Sequence, residues 1–125
     1  MAFSGIILKK GEKFLLQLRD DKKEIAYPNH WSIFGGSIEP GETPMQAIIR
    51  EVKEELGINI EKKDIRIFSK TNLDGIEFNI FKADLKYELN ELTLGEGQAM
   101  ELFSKEEILK LKNLVPKLRE IFRDL

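Results

Sequence analysis

Residues 43–57 restrict the fold of this chain more than any other segment, because they carry signals for both ends of a helix. Thr43 can cap the helix, Pro44 suits its first position, and Gln46 completes a capping box with Thr43. Gly57 suits the stop just beyond the last turn. The apolar residues between these ends recur at helical spacing, and they are Met45, Ile48, Ile49, Val52 and Leu56. The segment therefore predicts an amphipathic helix with one buried side.

Strand patterns lie on both sides of this helix. Strands are predicted over residues 3–9, 13–19, 31–34, 64–70, 76–85 and 99–103, with hairpin turns at 9–12 and 72–75. Residues 35–42 hold three glycines and a proline and are predicted to be a loop. Further helices are predicted from Ser104 to about Leu111 and over residues 115–125. This order predicts an α/β fold class, in which helices cover a mixed sheet.

The bulk properties fit a single soluble domain over residues 1–125, which is long enough for one core. The chain has no cysteine, which excludes disulfides, thiolate zinc sites and a cysteine nucleophile and fits a cytoplasmic location. No segment approaches the ~18 apolar residues of a membrane span. The net charge of −2 gives no electrostatic case for a nucleic-acid or membrane partner.

Three carboxylates share one narrow face of the predicted helix. With Glu51 at zero and about 100° per residue, Glu54 falls near 300° and Glu55 near 40°. The apolar side covers roughly 60° to 160°, so the acidic face borders the buried one. Clustered and partly buried carboxylates are unfavourable unless a cation neutralises them. Hard carboxylate oxygens suit Mg²⁺ or Mn²⁺, whereas the ordinary interpretation of a Glu-rich helix is a solvated charged face.

The spacing around this helix resembles the Nudix box. Five residues separate Gly36 from Glu42, and after seven more comes the run Arg50-Glu51-Val52-Lys53-Glu54-Glu55-Leu56-Gly57-Ile58. Every defining position of the box is filled across residues 36–58, and the flanking segments 15–19 and 31–36 also resemble the family. Phe34 stands where many members have proline, which points to a subgroup or an altered pocket rather than lost catalysis. The resemblance implies the Nudix fold, a mixed β-sheet sandwiched between α-helices.

The resemblance also implies roles for individual residues. Glu51, Glu54 and Glu55 would bind the metal ions, and the main-chain carbonyl of Gly35 would be a further ligand. Arg50 would hold a box glutamate in place by ion pairing rather than touch substrate. The structural positions of the box are Gly36, Glu42 and Gly57, of which Glu42 would support the loop and helix.

A glutamate base would complete the reaction, and in the family it comes from the helix or from a later loop. Glu96, between Gly95 and Gly97, is the later-loop candidate, and a plain exposed turn glutamate fits it equally well. Glu101 is a weaker alternative. Glu39 could join the metal shell or remain a solvated loop residue. The residues expected to take part in catalysis are therefore Glu51, Glu54, Arg50 and Glu96.

The implied reaction is attack of water on a phosphorus of a diphosphate bridge, aided by Mg²⁺ or Mn²⁺. The leading hypothesis is hydrolysis of a nucleoside triphosphate, oxidised dNTPs included. Nucleotide sugars, ADP-ribose and dinucleoside polyphosphates remain open, as do a nucleotide-sensing domain without activity and a protein-interaction module. A homodimer also stays open. No residue is assigned to the substrate. Aromatic side chains that could stack on a base are more often packed in the core, and these are Tyr27, Phe78, Phe81 and Tyr87. Basic side chains that could bind phosphates are more often solvated, and these are Arg19, Lys22 and Lys23.

Overall fold

A seven-stranded mixed sheet forms the centre of the protein, in a computed structural model that describes residues 1–125. Its strands are β1 (Ala2–Lys10), β2 (Lys13–Leu18), β3 (Trp31–Ser32), β4 (Phe34–Ser37), β5 (Arg66–Leu73), β6 (Ile76–Asp84) and β7 (Ala99–Ser104). β2 and β4 pair antiparallel with β1, whose other edge pairs parallel with β6. β5 lies antiparallel outside β6, while β3 and β7 both pair with β2. The predicted mixed sheet is confirmed.

Helices cover both faces of this sheet. α1 (Pro44–Leu56) packs on one face, and α2 (Lys105–Lys110) and α3 (Pro116–Arg123) pack on the other. The alternation of side chains along a strand divides β1 between the two faces. Ile6 therefore joins the α1 core, and Ile7 joins the core under α3.

The ends of α1 follow from the capping residues, as predicted. The Thr43 side chain accepts a hydrogen bond from the backbone N–H of Gln46, and the Thr43 N–H donates to the Gln46 side chain. Gly57 adopts φ 71° after the last turn, a left-handed conformation that glycine enters without steric cost. Ser4 Oγ donates to the carbonyl of Pro44 over 2.8 Å, which ties the first turn of α1 to β1.

The predicted loop over residues 35–42 was wrong at its start, because residues 35–37 belong to β4. The predicted strand over residues 31–34 is correspondingly divided at Ile33 between β3 and β4. Gly35 lies opposite Gly5 of β1, and a Cβ on Gly35 would stand 2.1 Å from the carbonyl oxygen of Ser4. Glycine at this position therefore allows β1 and β4 to approach each other closely.

The second half has shorter turns and helices than predicted. β5 starts at Arg66, after a short 3-10 helix (Lys62–Asp64), and continues to Leu73. A two-residue turn joins β5 to β6, with φ 53° at Asp74 and 80° at Gly75, as in the hairpin turns that match strand twist. α3 is shorter at both ends than the predicted 115–125. None of the helices has the length and apolar character needed to cross a membrane.

Candidate active site

Glu55 lies at the border between the acidic face of α1 and the core, where only 5% of it is exposed. Gln17 Nε2 donates to its Oε2 over 3.2 Å, and the backbone N–H of Gly35 donates to its Oε1 over 3.3 Å. Burial raises the pKa of Glu55 to about 8, and the adjacent carboxylate of Glu51 and the charge of Glu96 act in the same direction. The buried carboxyl is therefore held by α1, β2 and β4 together.

Because Gly36 has no side chain, the carboxylate of Glu51 can lie directly against its backbone. A Cβ at Gly36 would lie 2.4 Å from Glu51 Oε1 and 2.9 Å from Oε2. The Glu51 side chain is accordingly only 15% exposed. The contact places two carboxylates, those of Glu51 and Glu55, side by side under β4.

Arg50 pairs with several glutamates around this cluster. Its Nε and Nη2 donate to the two carboxylate oxygens of Glu42 over 2.7 and 2.9 Å, a bidentate contact. Its Nη1 donates to Glu51 over 3.0 Å and to Glu54 over 3.3 Å. The guanidinium lowers the pKa of Glu42 to about 2, and Glu42 in turn raises the pKa of Arg50. Glu39 is a looser partner, 3.5 Å away and largely exposed.

Glu54 differs from its two neighbours, because its side chain is 58% exposed and turned towards Arg50. No group of three or more acidic or imidazole side chains is arranged as a ready set of metal ligands. The oxygen donors nevertheless fit a hard divalent cation, because Glu51 and Glu55 lie side by side and such a cation would favour the charged form of both carboxyls. The predicted ligand set of three glutamates and the Gly35 carbonyl stays a prediction.

The loop that carries Glu96 packs against the last turn of α1. The N–H of Gly95 donates to the carbonyl of Glu55 over 2.7 Å, and a Cβ at Gly95 would lie 2.5 Å from the carbonyl oxygen of Glu54. Glu96 is exposed and close enough for its charge to act on Glu55. The structure thus brings the predicted later-loop glutamate to the carboxylate cluster.

Glu101, the weaker candidate for the base, lies away from this cluster. It stands opposite Leu16 in the pairing of β7 with β2, and directly paired residues project from the same face of a sheet. Leu16 belongs to the core under α2 and α3. The sheet therefore separates Glu101 from the carboxylates of α1.

A cavity of about 490 Å³ adjoins the glycine strand β4. Gly35 and Gly36 form one border, and the rings of Phe3 and Phe78, stacked 5.6 Å apart, also line it. Of the aromatic and basic residues considered from the sequence, Arg19, Tyr27 and Phe78 line the cavity. Phe81 is buried in the core instead, Tyr87 packs against that core, and Lys22 and Lys23 are exposed.

Phe34, which stands where many members of the family have proline, is fully buried and packs in the core beneath α1, although its segment also borders the cavity.

Gln17, which donates a hydrogen bond to Glu55, was not predicted from the sequence, although the strand pattern contained a signal for it. It shares a strand face with Leu15, which is buried under α1, so it places a polar group at an apolar position.

Comparisons with known proteins find one family model and several similar sequences and folds. The family model of the NUDIX domain matches residues 1–125. The chain is 35% identical over 85 residues to nucleoside triphosphatase NudI of Enterobacter sp. (strain 638), a match that covers 61% of this chain and 57% of that protein. It is 37% identical over 73 residues to the RNA pyrophosphohydrolase of Yersinia enterocolitica, over 58% of this chain and 40% of that protein. The chain thus spans about half the length of these curated relatives.

Among solved structures, the fold is similar to that of the MutT NUDIX hydrolase from Burkholderia pseudomallei. The TM-score is 0.81 at 19% sequence identity, and the match covers 99% of this chain and 96% of the other. At this identity the likeness concerns the fold.

Proposed function

Because the chain belongs to the NUDIX family, whose model spans its full length, we propose that it hydrolyses a diphosphate linkage in a nucleoside diphosphate derivative with the aid of Mg²⁺ or Mn²⁺. A nucleoside triphosphate is the first candidate substrate, oxidised dNTPs included. The names of two relatives, a nucleoside triphosphatase and an RNA pyrophosphohydrolase, support this class. The observation that carries the proposal is the half-buried Glu51 beside the buried Glu55, with Glu51 packed against Gly36, a residue that also lines the 490 Å³ cavity.

Glu51, Glu54 and Glu55 would hold the metal. When bound, a divalent cation neutralises phosphate oxygens and lowers the pKa of the attacking water. Glu54 is the ligand that would have to change partners, from Arg50 to the cation. Its contact with Arg50 is exposed, and an exposed ion pair of this kind is weak, about 0–1 kcal/mol.

The other side chains fix the orientation of these ligands. Gln17 and the Gly35 N–H each hold one oxygen of Glu55, while Arg50 holds Glu51 and ties α1 to Glu42. The carboxylate of Glu96, on the loop docked to α1, would accept the proton of the attacking water. The nucleoside would enter the cavity between β4 and α3, where Phe3 and Phe78 offer aromatic surface for a base.

The test is to incubate the protein with Mg²⁺ and a panel of nucleotides and to measure turnover as the release of phosphate or pyrophosphate. We expect Glu54→Gln and Glu55→Gln each to lower kcat by at least about 100-fold, the order of effect of removing one group that stabilises developing charge. Glu61→Gln is the matched control, because Glu61 is exposed and pairs only with Lys63. Tight nucleotide binding without turnover on the whole panel would contradict the enzyme and favour a nucleotide sensor.

A further inference from the structure

The cavity beside β4 contains two basic side chains and no acidic one. Arg19 follows the end of β2, and Lys117 lies in the first turn of α3. Arg19 Nε donates to the carbonyl of Ala26 over 2.8 Å. Neither residue takes part in an ion pair of the structure. The cavity therefore carries a local charge of +2 in a chain whose net charge is −2.

Apolar side chains line the cavity beside these two half-exposed basic residues. Val115, Leu118 and Ile121 of the α3 segment line the same cavity as Lys117. Apolar surroundings exclude water and lower the effective dielectric constant, which strengthens the attraction of a cation for an anion. A ligand that fits the cavity best would therefore combine a planar apolar group with a negative charge.

The position of Lys117 favours a second negative charge, rather than the scissile diphosphate, as its partner. The metal-binding carboxylates belong to α1, which covers one face of the sheet, whereas α3 covers the other face. β4 lies between them, with Gly36 against Glu51. A diphosphate held at Glu51 and Glu55 would thus lie on the α1 side of β4, which leaves Lys117, on the α3 side, free to meet a second anion.

We propose that the preferred substrate is a nucleotide that carries a further phosphate on its sugar, and that Arg19 and Lys117 bind this phosphate. The inference rests on the proposed function, which sets the scissile diphosphate at α1. Tyr27 also lines the cavity and is 49% exposed, so its ring can cover a base once the nucleotide is bound. A sugar phosphate of this kind occurs as the 3′-phosphodiester of a 5′-triphosphorylated oligonucleotide and as the 2′- or 3′-phosphate of small nucleotide cofactors.

Binding of three matched ligands tests the inference without relying on turnover. Isothermal titration calorimetry would compare adenosine 5′-monophosphate with adenosine 3′,5′-bisphosphate and adenosine 2′,5′-bisphosphate. We expect the better bisphosphate to bind about tenfold tighter than the monophosphate, the effect of one charge-assisted contact. Lys117→Gln and Arg19→Gln should each remove most of this preference, and Lys117→Arg should retain it. Lys112→Gln is the control, since Lys112 is exposed and lies outside the cavity.

Equal affinity for the three ligands, or an equal loss for all of them in Lys117→Gln, would refute the sugar-phosphate site. Turnover measurements distinguish the absence of a sugar-phosphate site from the absence of the proposed hydrolase activity. A protein that hydrolyses ATP but shows no lower KM for the 5′-triphosphorylated dinucleotide or for a cofactor with a sugar phosphate keeps its activity and refutes the site. A lower KM for the dinucleotide identifies an oligonucleotide end as the source of the phosphate, and a lower KM for a cofactor than for its dephosphorylated form identifies the small molecule.

Discussion

Arg50 is the residue whose contacts hold the acidic cluster together at the scale of single side chains. Its guanidinium reaches Glu42, Glu51 and Glu54 from one position on α1. Because the guanidinium donates a hydrogen bond to each oxygen of Glu42, the carboxylate form of Glu42 is strongly favoured in the folded protein. The ion pair of Glu42 with Arg50 thus connects the loop before α1 to the helix, and it depends on pH through the charge of Glu42.

The pH dependence of stability should report this pair. The folded-state pKa of Glu42 is about 2, below its ordinary value of 4.5, so its contribution is complete above about pH 4.5 and is lost as the pH falls towards 2. In urea unfolding, Glu42→Gln should therefore be less stable than the wild type at pH 6, and the difference should shrink towards pH 2. Glu61→Gln should show no such trend. A difference that stays constant between pH 6 and pH 2 would contradict the role of this charge.

Single residues also mark the limit of what the sequence predicts. The pairing of Arg50 with box glutamates followed from a resemblance, and Glu96 followed from the glycines beside it. Gln17 was missed because its partner, Glu55, lies 38 positions away, and local spacing does not reveal which strand faces a helix. Lys117 carried no signal at all, because nothing in its neighbourhood distinguishes a cavity lysine from a solvated one.

At the scale of elements, α1 was predictable and β4 was not. Thr43, Pro44 and Gly57 act on neighbours within one turn, so the helix ends could be inferred from the chain itself. β4 instead depends on pairing with β1, 30 positions earlier, and its glycines suggest a loop when considered locally. Glycine in a strand often marks a close approach of backbones or side chains, and at Gly36 the close neighbour is Glu51.

Gly36→Ala should therefore damage the site by displacing an element against α1. The added methyl group would meet the Glu51 carboxylate at 2.4 Å, so either β4 or Glu51 must move. We expect a loss of about 1–3 kcal/mol in unfolding free energy and of about 100-fold in kcat, since small misplacements of reacting groups have effects of this order. Ser37→Ala, at the next and exposed position of β4, should retain the stability, and Glu61→Gln should retain kcat. Full activity of Gly36→Ala would show that Glu51 does not need this space.

The whole molecule joins two cores through one sheet, and the carboxylate cluster lies where α1, β2, β4 and the Glu96 loop meet. An ion bound there should stabilise all of these elements together. With free Mg²⁺ at ten times its Kd, linkage adds about 1.4 kcal/mol to the free energy of unfolding, which corresponds to a rise of about 5 °C in Tm for a domain of this size.

Differential scanning calorimetry with and without Mg²⁺ measures this rise. The double variant Glu51→Gln, Glu55→Gln should lose the response to Mg²⁺, because neither side chain can then supply the negative charge that binds the cation. An identical Mg²⁺ response in the variant would place the ion elsewhere on the protein.

The parallel pairing of β1 with β6 also has a consequence for how the chain acquires its structure. Residue 2 meets residue 77, and residue 9 meets residue 84, so one side of the innermost strand has no complete partner until residue 84 has left the ribosome. Contacts between such distant positions slow folding, to the millisecond-to-second range in domains dominated by them. The nascent chain would thus display the complete acidic helix well before it has a finished sheet to support it.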